Sequence, residues 1–309
     1  MIAGGHYDKL STWETGFGGT SGYLISDNRR VTAECYDDWP SGLVDTVDVS
    51  GWTTDAAHYL TITSPPGERH TGREGTGFLL APPMNCSGIR LLDLTAHYTV
   101  IEHLDIDPAT WGEGVSSGGA DYVTIRDCII HDSSRPGIQL SNSTLAFNVY
   151  NNIIYNTNFG IRSDSFGCYG NIFNNTVYKT TTYGIAVNSS TTNSAYDNLV
   201  VDCTPCFGNF AADDFTGSNG SSDATAPGSG SLTSTALASW AFESAVDGSE
   251  NFHIKSNSSA LARGTATGVP VDIDSQRRVG AFDIGADQYR PGGEVAERVS
   301  LIREPVQIS

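Results

Sequence analysis

VIEHLDI (Val100–Ile106), TIRDCII (Thr124–Ile130), NVYNNII (Asn148–Ile154), NIFNNTV (Asn171–Val177) and SAYDNLV (Ser194–Val200) are five versions of one segment. Their first shared apolar position falls at Ile101, Ile125, Val149, Ile172 and Ala195, at steps of 24, 24, 23 and 23 residues. Half a period away run Gly114, Gly137, Gly160, Gly184 and Gly208, at steps of 23, 23, 24 and 24, most of them opening a short apolar run such as GIQL, GIRS or GIAV. Repeats of this length stack because no single unit can bury its apolar face alone. A helical pair would need about 33 residues and a 3.6-residue rhythm. Here the apolar residues are largely β-branched, come in short runs, and are separated by Gly, Asn, Asp and Ser, which are strand and turn signals. Each unit is therefore predicted to be two or three short strands, with successive units stacked in parallel at about 4.8 Å.

Asn152, Asn175 and Asn198 recur beside Asn151, Asn174 and Asp197. Asn tolerates the left-handed turn conformation and can hydrogen-bond along a stack of like turns. From Tyr59 to Tyr289 the chain resembles the right-handed parallel β-helix superfamily, which includes pectate-lyase-like enzymes and many bacteriophage tail and surface proteins. The fold class is thus all-β: a right-handed parallel β-helix solenoid with an N-terminal cap and an extended C-terminal tail. VDIDSQRRVGAFDIGADQY (Val271–Tyr289) resembles the closing segment of such proteins, at Asp272, Asp274, Arg277 or Arg278, Asp283, Ile284, Gly285, Ala286 and Tyr289. The resemblance implies that it finishes the last coil.

The other regions are read as end pieces and insertions. Residues 1–57 lack the period but carry Trp13, Trp39 and Trp52, and are expected to cap the open solenoid end. The body runs over 58–290. It is interrupted by a charged loop, PPGERHTGREGTG (Pro65–Gly77), and by a Gly/Ser-rich excursion at about 211–235. The tail, 291–309, has apolar residues at Val295, Val299, Leu301, Ile302, Val306 and Ile308, and is expected to dock on another subunit or protein.

Lys plus Arg number 17 against 35 Asp plus Glu, a net charge of −18. Such a surface repels polyphosphate, which argues against nucleic-acid binding. No apolar stretch is long enough for a membrane-spanning helix, and the N-terminus has no signal-peptide pattern. Cys203 and Cys206 form a lone CxxC with no second ligand pair in sequence, so neither a metal nor another cofactor is expected.

Two surfaces are candidates for function. The first regular coils gather Glu102, His103, Asp105, Arg126, Asp127, His131, Asp132 and Arg135. As a catalytic face, His131 or Arg135 would take a proton while Asp127 and Asp132 hold a calcium ion. As a structural face, Glu102 and Arg126 are a surface pair worth under about 1 kcal/mol. The second surface is the column Tyr150, Phe173 and Tyr196, expected on the outside, where an aromatic row binds sugar rings or a partner protein. Together these features favour a non-enzymatic structural protein of a bacteriophage virion: a decoration, fibre or tail component, homo-oligomeric, displayed on the particle after assembly in the host cytoplasm. Its expected partners are other virion proteins through the tail, and cell-surface polysaccharide. The alternatives are a polysaccharide lyase or glycoside hydrolase, and a carbohydrate-binding adhesin.

Overall fold

A computed structural model describes residues 7–21, 24–83, 88–141, 146–163, 168–188, 193–211, 214–265 and 268–291. The fold follows from the apolar column. Ile125 pairs in parallel register with Ile101 and Val149, Val149 with Ile172, and Ile172 with Ala195. All five side chains are fully buried. Ile101, Ile125, Val149 and Ile172 each contribute about 1.5–3 kcal/mol when removed from water, and the single methyl of Ala195 less. The same column extends backward through Ile62 to Ala33 and forward to Thr216.

Among the described residues one parallel sheet has eight strands and a second has thirteen, together enclosing the core. Strand pairing already begins at Val31–Glu34, and Val47–Val49 pairs with Arg90–Leu94. A helix, Leu10–Ser21, packs beside that first coil, with Trp13 stacked on Trp52 at 5.8 Å and Glu14 accepting the indole N–H. Within the Gly/Ser-rich stretch, Phe215–Gly217 and Gly220–Ser221 are strands stacked on Ser194–Tyr196 and Leu199–Val201.

The turn between the two sheets is the most regular feature. His103, Asp127, Asn151, Asn174 and Asp197 all have φ between 54° and 59° except Asn174 at 53°, the left-handed region that Asn and Asp tolerate. The next residues form a buried amide ladder: Asn152 Nδ2 donates to Asn175 Oδ1 at 3.0 Å, Asn175 to Asn198 at 3.0 Å, and Asn198 to Asn219 at 3.1 Å. Each Asn also donates to a backbone carbonyl of the coil before it, so none of these buried amides is left unsatisfied. Cys128 stands one coil above Asn152 and donates its backbone N–H to it, as befits a small buried thiol.

Two expectations need correction. Gly114, Gly137, Gly160 and Gly184 do stack, but Ile185 pairs with Phe207, so Gly208 lies over Ala186, two places out of the column. The Val271–Tyr289 segment does not finish the last coil. It folds back along the shaft: Asn151 Nδ2 donates to Val271 O, Gly285 N to Asp197 O, and Ala286 N to Thr176 Oγ1. The reason is a second apolar layer. Ile129, Ile153, Tyr155, Tyr178, Leu199 and Val201 face outward from the second sheet, and Trp240, Phe242, Phe252, Ile254, Ile273 and Ile284 cover them. The tail beyond Pro291 lies outside the described residues.

Candidate functional site

The acidic and basic residues of the early coils divide between two places. Glu102 and Arg126 pair directly on the outer face of the eight-stranded sheet, and Arg126 also bonds Asp127 Oδ2 at 3.2 Å. Asp127 is fully buried beneath the folded-back segment and accepts from Asn151 Nδ2 at 2.9 Å. Burial raises its pKa to about 6 against the pull of Arg126. His103 is buried, and burial and then Arg69 push its pKa well below the usual value, so its ring is neutral.

Asp105, His131 and Asp132 lie around the other side, where the charged loop returns. His131 Nε2 is 3.0 Å from Asp105 Oδ1, and its Nδ1 is 3.0 Å from Asp132 Oδ2. Tyr155 stacks on the imidazole, and its hydroxyl donates to Glu74. Burial opposes the charged ring, but the bonds to Asp105 and Asp132 outweigh it and lift the pKa to about 10. A histidine that is already protonated at neutral pH cannot act there as a general base. Arg135 is exposed. The loop itself is anchored rather than solvated, because buried His70 donates from Nε2 to Asp127 O at 2.9 Å and Gly75 N–H donates to Asp105.

Among the described residues, two groups converge closely enough to ligate a cation: Glu74, His131 and Asp132, and His253, Asp274 and Asp287. In each, the histidine nitrogens already face hydrogen-bonding oxygens; His253 Nε2 is 2.8 Å from Asp274, and its Nδ1 meets Asn251. Both arrangements read as hydrogen-bonded clamps holding the loop and the folded-back segment against the shaft.

The aromatic column is where the sequence places it. Arg126, Tyr150, Phe173 and Tyr196 are register neighbours on the outer face, all three rings half-buried. Tyr150 and Phe173 stack at 4.8 Å with planes 7° apart, and the Arg126 guanidinium lies 5.9 Å from the Tyr150 ring. Tyr150 thus has neighbours on both faces. Phe173 keeps one face toward Tyr196, and among the described residues that last step forms no ring stack. An amide pair runs alongside, Asn171 Nδ2 donating to Asn148 Oδ1 at 2.9 Å.

A second aromatic surface was not anticipated. Phe159 and Tyr183 stack at 5.8 Å with planes 15° apart, and the Arg162 guanidinium lies 4.8 Å over the Phe159 ring. With Asn188 and Asn209 they line a groove of about 420 Å³, within the usual range for small-molecule sites of roughly 300–1,000 Å³. A register shift between Thr157 and Phe159 adds one residue to the step, which brings Phe159 opposite Tyr183. The available signal was an aromatic residue directly before each of two periodic glycines, Phe159–Gly160 and Tyr183–Gly184. The arginine-over-ring arrangement recurs at Arg30 and Tyr59, 4.7 Å apart, and Tyr98 stacks on Tyr122 at 4.5 Å.

The family model described as "Right handed beta helix region" matches residues 87–228. The crystal structure of pectate lyase Pel9A is similar at 14% identity, covering 84% of this chain and 87% of that chain, with a TM-score of 0.38. Comparison with curated protein sequences finds no match.

Proposed function

We propose that this chain, a right-handed parallel β-helix, is a non-catalytic surface protein that binds polysaccharide along its aromatic faces. The observation that carries this reading is the Phe159–Tyr183 groove. Stacked rings there offer apolar area for sugar C–H faces, the Asn188 and Asn209 amides offer partners for hydroxyls, and Arg162 can pair with a carboxylate. The Phe173–Tyr196 step is the second contact, two half-buried rings in neighbouring coils beside the Asn148–Asn171 amides. The acid–base candidates favour binding over catalysis, since Asp127 is buried and His131 is held charged. Display on a bacteriophage particle, with docking through the tail, remains part of the proposal and rests on the sequence resemblance and the acidic charge.

Affinity electrophoresis through gels containing dextran or alginate tests the reading. Migration of the full chain is expected to be retarded by at least one of them, with Tyr183→Ala and Tyr196→Ala each reducing the retardation. Release of unsaturated sugar, read in the ultraviolet and lost in Arg135→Ala, would overturn it. Co-sedimentation of the chain with intact phage particles tests the setting separately.

A further inference from the structure

The Cys203–Thr204–Pro205–Cys206 segment is not part of either ring surface. It is the turn between Leu199–Val201 and Phe207–Gly208, with Thr204 and Pro205 as its central residues. Residues at the two ends of such a turn have Cα atoms within about 7 Å, and a disulfide spans roughly 4.4–6.8 Å. Both cysteines are free thiols, and both are buried, at 3% and 0% exposure. The sulfur of Cys206 lies 3.5 Å from Cys203 O and 3.4 Å from Ser222 Oγ, while the sulfur of Cys203 donates to Val201 O at 3.2 Å.

The pair is asymmetric. The neighbouring Cys203 thiol, opposed by burial and helped by Ser222, brings Cys206 down to about 7. Burial drives Cys203 well up, which makes it the proton holder. Cys35 and Cys128 differ, because burial alone dominates there and pushes both thiols far up. Thiolate character is one determinant of which cysteine reacts, access being the other.

We propose that Cys203 and Cys206 are a peroxide-reactive dithiol that closes to an intramolecular disulfide, with Cys206 as the attacking sulfur and Cys203 as the resolving one. The Cys206 thiolate attacks one oxygen of hydrogen peroxide, the O–O bond breaks, and Cys206 sulfenic acid and hydroxide form. The Cys203 sulfur then attacks the sulfenic sulfur. The S–S bond forms, the S–O bond breaks, and the Cys203 proton leaves with the hydroxyl as water. In sum two thiols are oxidised by two electrons and one peroxide is reduced to two waters. The turn's carbonyls accept from the coil before, Gly184 N to Pro205 O at 3.2 Å and Ile185 N to Cys206 O at 2.8 Å, and Cys206 N donates to Asp223 Oδ2. Ring closure therefore stiffens the junction at which the regular coils meet the Gly/Ser-rich last coil.

The test treats the folded full-length chain with hydrogen peroxide at neutral pH, then denatures, alkylates and maps peptides by mass. The peptide holding Cys203 and Cys206 is expected to escape alkylation, to be lighter by two hydrogens, and to regain both sites after dithiothreitol. Cys35, Cys128 and Cys168 are expected to stay alkylatable. Equal alkylation of Cys203, Cys206 and Cys128 after peroxide would overturn the proposal. In Cys203→Ser, dimedone should capture a sulfenic acid on Cys206; capture on Cys203 in Cys206→Ser instead would overturn the assignment of roles. Should either variant fail to fold, the wild-type peptide map alone decides. Slower hydrogen exchange of the Ile185 amide after oxidation is the expected structural readout.

Discussion

The ring of Tyr183 lies directly on the backbone of Gly208: a Cβ at position 208 would stand 2.2 Å from the ring's Cε1. Gly208 is absent from the positive-φ glycines, so the requirement is space and not backbone conformation. The glycine is the floor on which one wall of the groove rests.

Gly208→Ala should therefore move the Tyr183 ring while leaving the coils stacked. Overpacking of this kind costs about 1–3 kcal/mol. Thermal unfolding should show that loss, and near-ultraviolet circular dichroism should change while the far-ultraviolet spectrum does not. An unchanged near-ultraviolet spectrum would contradict the contact.

The amide ladder predicts a larger effect at a smaller side chain. Asn175→Ala removes the acceptor for the Asn152 backbone N–H and side-chain amide, and the donor to Val149 O. Buried groups left unpaired cost about 1–3 kcal/mol each, so urea denaturation should show a loss of at least about 3 kcal/mol. Asn171→Ala, on the outer face of the same coil, should cost under about 1 kcal/mol.

Asp197 sets a pH dependence. Burial raises its carboxyl to about 6 despite the bonds from Thr265, and its Oδ1 is buried without a partner. The unfolded carboxyl titrates near 3.9, so between about pH 4 and 6 the unfolded state loses its proton first and stability falls as pH rises. Asp197→Asn keeps one acceptor for Thr265 and removes the charge. It should flatten that part of the stability profile and raise the melting temperature at pH 7. A wild-type slope retained in the variant would contradict the assignment.

His131 acts in the alkaline range. Its folded pKa of about 10 lies above the unfolded value near 6.5. Its contribution is fully present below about pH 6.5 and is lost as pH rises toward 10. His131→Gln should remove this alkaline loss and lower stability at pH 6. Hydrogen–deuterium exchange in the Pro65–Gly77 loop is the local readout, because Glu74 and Asp105 meet there.

The coils were legible wherever apolar residues kept the period, since an inward column needs a side chain that registers as apolar in each unit. That is why Ile101 through Ala195 could be aligned from the sequence. The continuation to Thr216 and Asn219 carries Gly217 and Gly220 instead, and the step from Asn198 to Asn219 shortens to 21 residues. At the other end, inserted loops stretch Ala33 to Ile62 to 29 residues and Ile62 to Ile101 to 39, which hides the register. The second apolar layer was unreadable for another reason. Ile129, Ile153 and Leu199 point outward from apolar runs whose neighbours Ile130, Ile154 and Val200 point inward, and nothing local says that Trp240 and Phe252 return to cover them. Of the site, Tyr150, Phe173 and Tyr196 followed from strand alternation, whereas the Phe159–Tyr183 pairing depends on a register shift that periodicity alone does not show.

Calorimetric titration of the full chain with alginate and with dextran, repeated on Tyr183→Ala and Arg162→Ala, tests polysaccharide binding most directly. The account predicts a saturable isotherm with at least one polymer, weakened tenfold or more by Tyr183→Ala. Weakening by Arg162→Ala for alginate alone would identify a carboxylate contact. Absence of binding to either polymer, or binding untouched by both substitutions, would contradict it.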